Sequence, residues 1–159
     1  YARACHEQIH LHLGKALGLK PIANVNNHHN FAWEEEIAPG RMAIVHRKGA
    51  TPAHSGQAGI IPGSMATPGY LVVGKGAEES LHSASHGAGR AMSRQRAKDS
   101  FTQSAMKKFL SQADVSLIGG SLEEMPLAYK DIGLIMQTQA TLVKVQGEFT
   151  PRIVRMNKE

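Results

Sequence analysis

The segment Ser85 to Arg94, SHGAGRAMSR, concentrates residue types that handle phosphate. His86 stands between a serine and the glycines Gly87 and Gly89, with Arg90 and Arg94 close behind. Glycines let the backbone turn freely and approach a ligand closely. Successive N–H groups in such a turn form a cradle for anions, and an arginine fork binds two phosphate oxygens at once. A histidine in that setting can be a general acid, a metal ligand or a nucleophile that accepts a phosphoryl or nucleotidyl group. The same string also fits a glycine-rich turn that caps a helix and leaves His86 merely exposed.

A second string carries different chemistry. His6-Glu7-Gln8-Ile9-His10 has the HExxH spacing, which on a helix sets two histidines on one face to bind zinc, with Glu7 as base. Glu34 or Glu35 would be its distant third ligand. That reading is a zinc metallopeptidase, and it explains none of the blocks downstream.

Those blocks are NVNNHHNFAWEE (Asn24 to Glu35), HRKGATPA (His46 to Ala53), GIIPGSMATPGYLVVGKG (Gly59 to Gly76), EESLHSASHGAGR (Glu78 to Arg90) and PLAYKDI (Pro126 to Ile132). In this order and at these spacings they resemble the RtcB family of RNA ligases, from about Pro21 to the C-terminus. The resemblance implies an α+β fold of the family's own kind and a ligase that uses GTP and Mn²⁺. It implies RNA partners with a 3′-phosphate or 2′,3′-cyclic phosphate end and a 5′-hydroxyl end, and leaves room for an activating protein partner. Residues 1–159 are expected to form the C-terminal part of a larger single catalytic domain. The family's Asp–Cys pair and two further metal-site histidines lie in its N-terminal part, and Cys5 sits too close to HHN to replace that cysteine. A further alternative is therefore a catalytically incomplete fragment that only binds guanine nucleotide or RNA.

Residue by residue, the resemblance makes His86 the guanylylated nucleophile and Arg90 a phosphate contact. Gly87, Ala88 and Gly89 become the backbone cradle. Gly63, Ser64 and Met65 line the guanine-nucleotide pocket, to which Asn30 also belongs. His29 is the ligand of the second manganese, with His28 supporting it or purely structural. Arg47 and Lys48 are expected to face phosphates, and Glu78 and Glu79 match acidic positions of unassigned role. Lys158 is the candidate for a C-terminal lysine that contacts guanine. The chain departs from the common pattern at Ala66 (often glycine), Gly69 (often serine) and Ala84 (often cysteine).

Composition agrees with this picture. The formal charge of +5 suits a polyanionic partner, while 5% aromatic residues supply few stacking platforms for single strands. A single cysteine excludes an internal disulfide framework and fits a reducing, cytoplasmic setting. No apolar run reaches membrane-spanning length.

The elements that must position these residues can be placed from pattern. ARACHEQIHLHLGKALGL reads as a helix stopped at Gly18. Asn24 to Trp33 is extended and feeds a loop. Met42 to His46 and Tyr70 to Val73 are β-rich runs, and Gly56 to Gly69 between them is loop-dominated. Gly87 to Leu110 is expected to leave the glycine turn as one helix, with a second helix over Ala128 to Val143. PLAYKDI is a packing and helix-start signature, and Arg152 to Met156 a terminal strand. Helices and strands without strict βαβ alternation give an α+β class.

Overall fold

The structure, a computed structural model, describes residues 2–156. Helix α1 (Ala2–Leu17) is followed by strands β1 (Asn30–Ala38), β2 (Arg41–Lys48), β3 (Ala50–Pro52), β4 (Ala58–Ile61), β5 (Gly69–Gly74) and β6 (Ser83–Ser85). Helices α2 (Arg94–Ser100) and α3 (Gln103–Gln112) come next, then β7 (Ser116–Ile118), α4 (Ile132–Thr138), β8 (Val143–Phe149) and β9 (Ile153–Arg155). The α+β expectation holds: strands pair antiparallel in β1–β2, β3–β6 and β4–β5–β8, and parallel only in β7–β9.

Two apolar cores hold these pieces together. One gathers Ala53, Ile61, Val72, Ala84, Ala88, Ile132, Met136 and Val143 beneath β4, β5, β6 and α4. The other gathers Met65, Met106, Leu110, Val115 and Met125 around α3. The Pro62–Ser64 turn runs between them, since Ile61 belongs to the first core and Met65 to the second. Helix α1 lies outside both, with Ile9, Leu13 and Leu17 about half exposed or more.

Several expected elements change on folding. The extended segment after Asn24 becomes a strand only at Asn30 and continues to Ala38, because its residues find β2 as partner in register from Asn30↔Lys48 to Ala38↔Arg41. The stretch expected as loop holds β4, which pairs Ala58–Ile61 with Tyr70–Val73. The single helix over 87–110 is two: Phe101 is extended, and Thr102 restarts the helix by accepting from the Ala105 N–H. Its first helical residue is Arg94, not Gly87, because Ser93 caps it through the Arg96 N–H. The helix expected from Ala128 starts only at Ile132. There Asp131 accepts from the Gly133 and Leu134 N–H groups, while Pro126–Ala128 forms a separate 3₁₀ turn. PLAYKDI is thus a packing and helix-start segment, with Ala128 fully buried and Asp131 as cap.

Candidate active site

His86 follows β6 directly and is half-buried. Its Nδ1 lies 2.7 Å from the Gly49 carbonyl oxygen. A carbonyl can only accept, so Nδ1 is the donor, and in the neutral ring the lone pair lies on Nε2. β2 and β3 flank Gly49, and the register Ala50↔Ser85 in β3–β6 brings that carbonyl alongside His86. The Gly49 N–H donates to the His29 carbonyl at 2.9 Å, and the His29 and His86 rings stack with centroids 5.3 Å apart. Gly49 has φ +75°, a conformation that only glycine adopts without strain. Sequence reading missed this residue as a site element.

The chain after His86 is packed into the fold rather than left open. Gly87 sits against Pro62, where an added Cβ would lie 3.0 Å from the Pro62 carbonyl oxygen. The Ala88 N–H donates to that same oxygen at 3.0 Å, and Ala88 is 3% exposed. The Gly87 carbonyl accepts from Ser85 Oγ, and the Gly89 carbonyl accepts from the Lys130 N–H. Buried Gln139, on no sequence-based list of site residues, accepts the Ser85 N–H through Oε1 at 2.9 Å and so steadies β6 next to His86.

Arg90 is drawn into the 123–129 segment. Its guanidinium donates to the Glu123 and Met92 carbonyls and to Tyr129 Oη, and it stacks 5.0 Å over the Tyr129 ring. Tyr129 in turn donates to Glu124, and burial together with that carboxylate pushes its phenol up to about 12. Arg94, at the start of α2, is 69% exposed and pairs with Glu123 at 3.8 Å.

Arg47 corrects its expectation. Alternation along β2 sends Val45 and Arg47 inward, and Arg47 is 2% exposed, so it does not face solvent phosphates. It forms a two-pronged ion pair with Glu35, both contacts at 2.7 Å, and that interaction holds the Glu35 carboxyl below its ordinary value against the opposing effect of burial. Lys48 is exposed on the opposite face, across from Asn30, whose Oδ1 lies 3.3 Å from His46 Nε2.

The Gly63–Met65 turn is built tightly. Ser64 Oγ and Thr67 Oγ1 lie 2.9 Å apart, and Thr67 Oγ1 also accepts the Ser64 N–H at 2.6 Å. Ser64 and Thr67 line one end of a cleft of about 450 Å³ whose other walls include Tyr70, Tyr129 and Asp131. Met65 is 6% exposed and packs in the second core. Glu78 and Glu79 sit in a 3₁₀ turn on the way to β6. Lys158 lies outside the described residues.

HExxH falls on α1. His6 lies 2.5 Å from Asn26 Oδ1 and stacks on His28, which burial and the neighbouring His6 hold below its ordinary value. Glu35, named above as a third zinc ligand, is committed to Arg47. Among the described residues no three His, Cys, Asp or Glu side chains gather as a metal-binding group. None of the described helices is long and apolar enough to cross a membrane.

The family model described as tRNA-splicing ligase RtcB matches residues 2–157. RNA-splicing ligase RtcB of Escherichia coli strain K12 is 43% identical over 124 residues, covering 78% of this chain and 30% of the relative. tRNA-splicing ligase RtcB of Nanoarchaeum equitans is 38% identical over 161 aligned positions, covering 86% of this chain and 33% of the relative. That of Methanocaldococcus jannaschii is 37% identical, covering 69% and 14%. The chain thus spans a third or less of the length of these curated relatives. With the family model matched along nearly its whole length, the chain belongs to the RtcB family.

Proposed function

We propose that this chain carries the nucleotidyl-transfer half of a GTP- and Mn²⁺-dependent RNA ligase. The enzyme joins 3′-phosphate or 2′,3′-cyclic phosphate ends to 5′-hydroxyl ends, in tRNA splicing or RNA repair. The relatives' names supply the reaction class. The observation that carries the reading here is the His86 Nδ1 contact with the Gly49 carbonyl at 2.7 Å, which leaves Nε2 as the nucleophilic nitrogen.

In this scheme the Nε2 lone pair attacks the α-phosphorus of GTP. An N–P bond forms as the bond to the β-phosphate oxygen breaks, and pyrophosphate leaves. The Nδ1 proton stays on its hydrogen bond to Gly49 throughout, so the ring needs no separate base. An oxygen of the RNA 3′-phosphate then attacks the bound GMP, and the N–P pair returns to Nε2. The 5′-hydroxyl of the second RNA attacks the activated 3′-phosphorus, loses its proton and expels GMP. Cyclic phosphate ends are first opened by water. The Pro62-backed turn from Gly87 to Gly89 fixes the backbone next to the reacting phosphate. Ser64, with Gly63 and Met65 shaping its turn, contributes a polar edge to the nucleotide cleft. Asn30 and Lys48 lie on the exposed face of β1–β2, at the same end of the hairpin as His29.

His29 fits one position of a manganese shell, since imidazole with phosphate oxygens suits that ion. Among the described residues no group of three His, Cys, Asp or Glu side chains forms there, so the remaining donors of the shell would come from elsewhere, phosphate oxygens included. Manganese, when bound, would neutralise phosphate charge. Arg90, assigned as a phosphate contact, is held by the Met92 and Glu123 carbonyls as well as Tyr129 and would exchange the Tyr129 contact for the ligand, whereas exposed Arg94 would give up only its pairing with Glu123. The cytoplasmic setting rests on Cys5, which is exposed and free.

The incomplete ligand set favours a second reading for the isolated chain, nucleotide binding without transfer. Intact-mass measurement after incubation with GTP and Mn²⁺ separates the two, on this chain and on a family-length protein that carries it. A GMP-sized gain that disappears in His86→Ala is the expected result for the longer protein. A gain in this chain as well overturns the binding-only reading, and a gain that survives His86→Ala overturns His86 as the carrier.

A further inference from the structure

We infer that Arg47 is a positioning residue for His86, bracing from one buried side chain both partners of the hydrogen bond that sets the histidine's tautomer. This rests on reading His86 as the nucleotidyl carrier.

An arginine 2% exposed is tolerated only when its donors are satisfied. Two of the Arg47 contacts go to Glu35 Oε1 and Oε2, and an ion pair alone would stop there. Instead Nε donates to Ser83 Oγ at 2.8 Å, and Nη2 donates also to the Leu81 carbonyl at 2.8 Å. Trp33 covers one face of the guanidinium with its ring centre 5.0 Å away. Ser83 Oγ donates to the same Leu81 carbonyl at 2.9 Å, which closes a triangle around the turn.

That turn is strained. Leu81 and His82 both have φ 50°, and two consecutive left-handed residues other than glycine persist only where their surroundings hold them. The Arg47 contacts fall on either side of His82, at the Leu81 carbonyl and the Ser83 hydroxyl. From Ser83 the chain runs straight through β6 into His86. At its other end, Arg47 lies in β2 two positions before Gly49, whose carbonyl takes the His86 Nδ1 proton. One guanidinium therefore ties the strand that supplies the acceptor to the turn that delivers the donor. Loss of the brace lets the turn relax and the ring shift, and a small misplacement of a reacting group lowers rate more than binding.

The test uses Arg47→Lys and Ser83→Ala in the full 159-residue chain and in the family-length protein. Lysine keeps the charge but cannot span Glu35, Ser83 and Leu81 together. Ser83→Ala leaves the Glu35 pair intact and cuts only the link to β6, which keeps the inference testable if Arg47→Lys fails to fold. The first readout is the ring ¹⁵N signature of His86 by NMR, assigned by the signals absent from His86→Gln. We expect the Nδ1–H form in the unaltered chain and a rise of the Nε2–H form in both variants. In the family-length protein the adduct rate constant should fall on the order of tenfold, with the GTP concentration for half-maximal rate unchanged. Variants with lowered thermal stability but an unchanged His86 signature and rate constant would overturn the inference and reduce Arg47 to a structural ion pair. If the unaltered protein takes up no GMP yet the signature responds to both variants, the nucleotidyl-carrier reading fails while the bracing of His86 by Arg47 stands.

Discussion

The imidazole rings of His29 and His86 lie 5.3 Å apart, centroid to centroid, with their planes 20° from parallel. Neither ring is placed by a helix or by a strand interior. Gly49 holds both, donating its N–H to the His29 carbonyl and accepting Nδ1 of His86. A residue with no side chain thus keys the candidate metal ligand to the candidate nucleophile, and does so through a left-handed backbone.

Gly49→Ala tests that keying. An alanine Cβ would meet only the His86 ring, at 3.9 Å, so the substitution is not a clash. The penalty is the left-handed φ, about 1–2 kcal/mol. Urea unfolding should show a loss of that size. His86→Ala made in the Gly49→Ala background should then cost less than it does alone, because the backbone that it relied on has already relaxed.

Acid should weaken the fold through Glu35. Its carboxyl is held below the ordinary value of 4.5, chiefly by the Arg47 hydrogen bonds. A folded value below the unfolded one gives stability that is fully present above the unfolded value and is lost as pH falls through the folded one. The urea midpoint should therefore drop as pH is lowered from about 5 into the region below 4.5. At neutral pH Glu35→Gln leaves the buried Arg47 charge unmatched and should cost about 3–5 kcal/mol. The gap between Glu35→Gln and the unaltered chain should narrow in acid, and a gap independent of pH would show that Glu35 is not the responding group.

Much of this arrangement was readable from residues, and the failures have physical causes. The runs Met42–His46 and Tyr70–Val73 showed themselves through β-rich composition, and Gly18 marked the end of α1. The breaks that were missed, at Ser93, Thr102 and Asp131, carry cap residues that sequence offers openly. Apolar spacing outweighed them. Arg47 departs from the phosphate-facing role that the resemblance implies, because alternation with Val45 puts it on the inner side of β2. The role of Gly49 had no local signal, since the imidazole it meets lies far along the chain. β4 was hidden for the same reason: only its partner β5 makes Ala58–Ile61 a strand.

Two glycines of the nucleotide-site blocks should behave differently when replaced. At Gly63 an alanine Cβ would overlap the Pro68 carbonyl oxygen and Thr67 Oγ1, and the backbone there has no room to give. Gly63→Ala should cost about 1–3 kcal/mol through overpacking, with guanine-nucleotide affinity lost as the Ser64 turn shifts. Gly89 has φ +71° with nothing within 4 Å of the added atom, so Gly89→Ala meets only backbone strain, about 1–2 kcal/mol. Thermal melts with and without GTP read both effects. Equal loss of nucleotide binding in the two variants would remove the distinction between a packed turn and an open one.

Tyr129 offers a signal at the alkaline end. Burial, with the Glu124 carboxylate beside it, pushes its phenol up to about 12, while the nearby Arg90 acts in the opposite sense. Unfolding restores the ordinary value of 10, so the unfolded chain ionises first as pH rises. The contribution of Tyr129 to stability is therefore complete below 10 and is lost as pH climbs toward 12. Ultraviolet titration should show a late tyrosine phase near 12, and Tyr129→Phe should abolish it while the phenol of Tyr70, which burial also raises, still titrates. The same variant removes the hydroxyl that accepts from Arg90 Nη1 and donates to Glu124. Arg90 is then freer to swing toward a ligand. If Arg90 contacts phosphate by exchanging its Tyr129 contact, Tyr129→Phe should lose stability yet bind GTP at least as tightly as the unaltered chain. A parallel loss of both would mean that Arg90 serves the site from where the structure holds it, by fixing the Gly89–Ala91 backbone against residues 128–130.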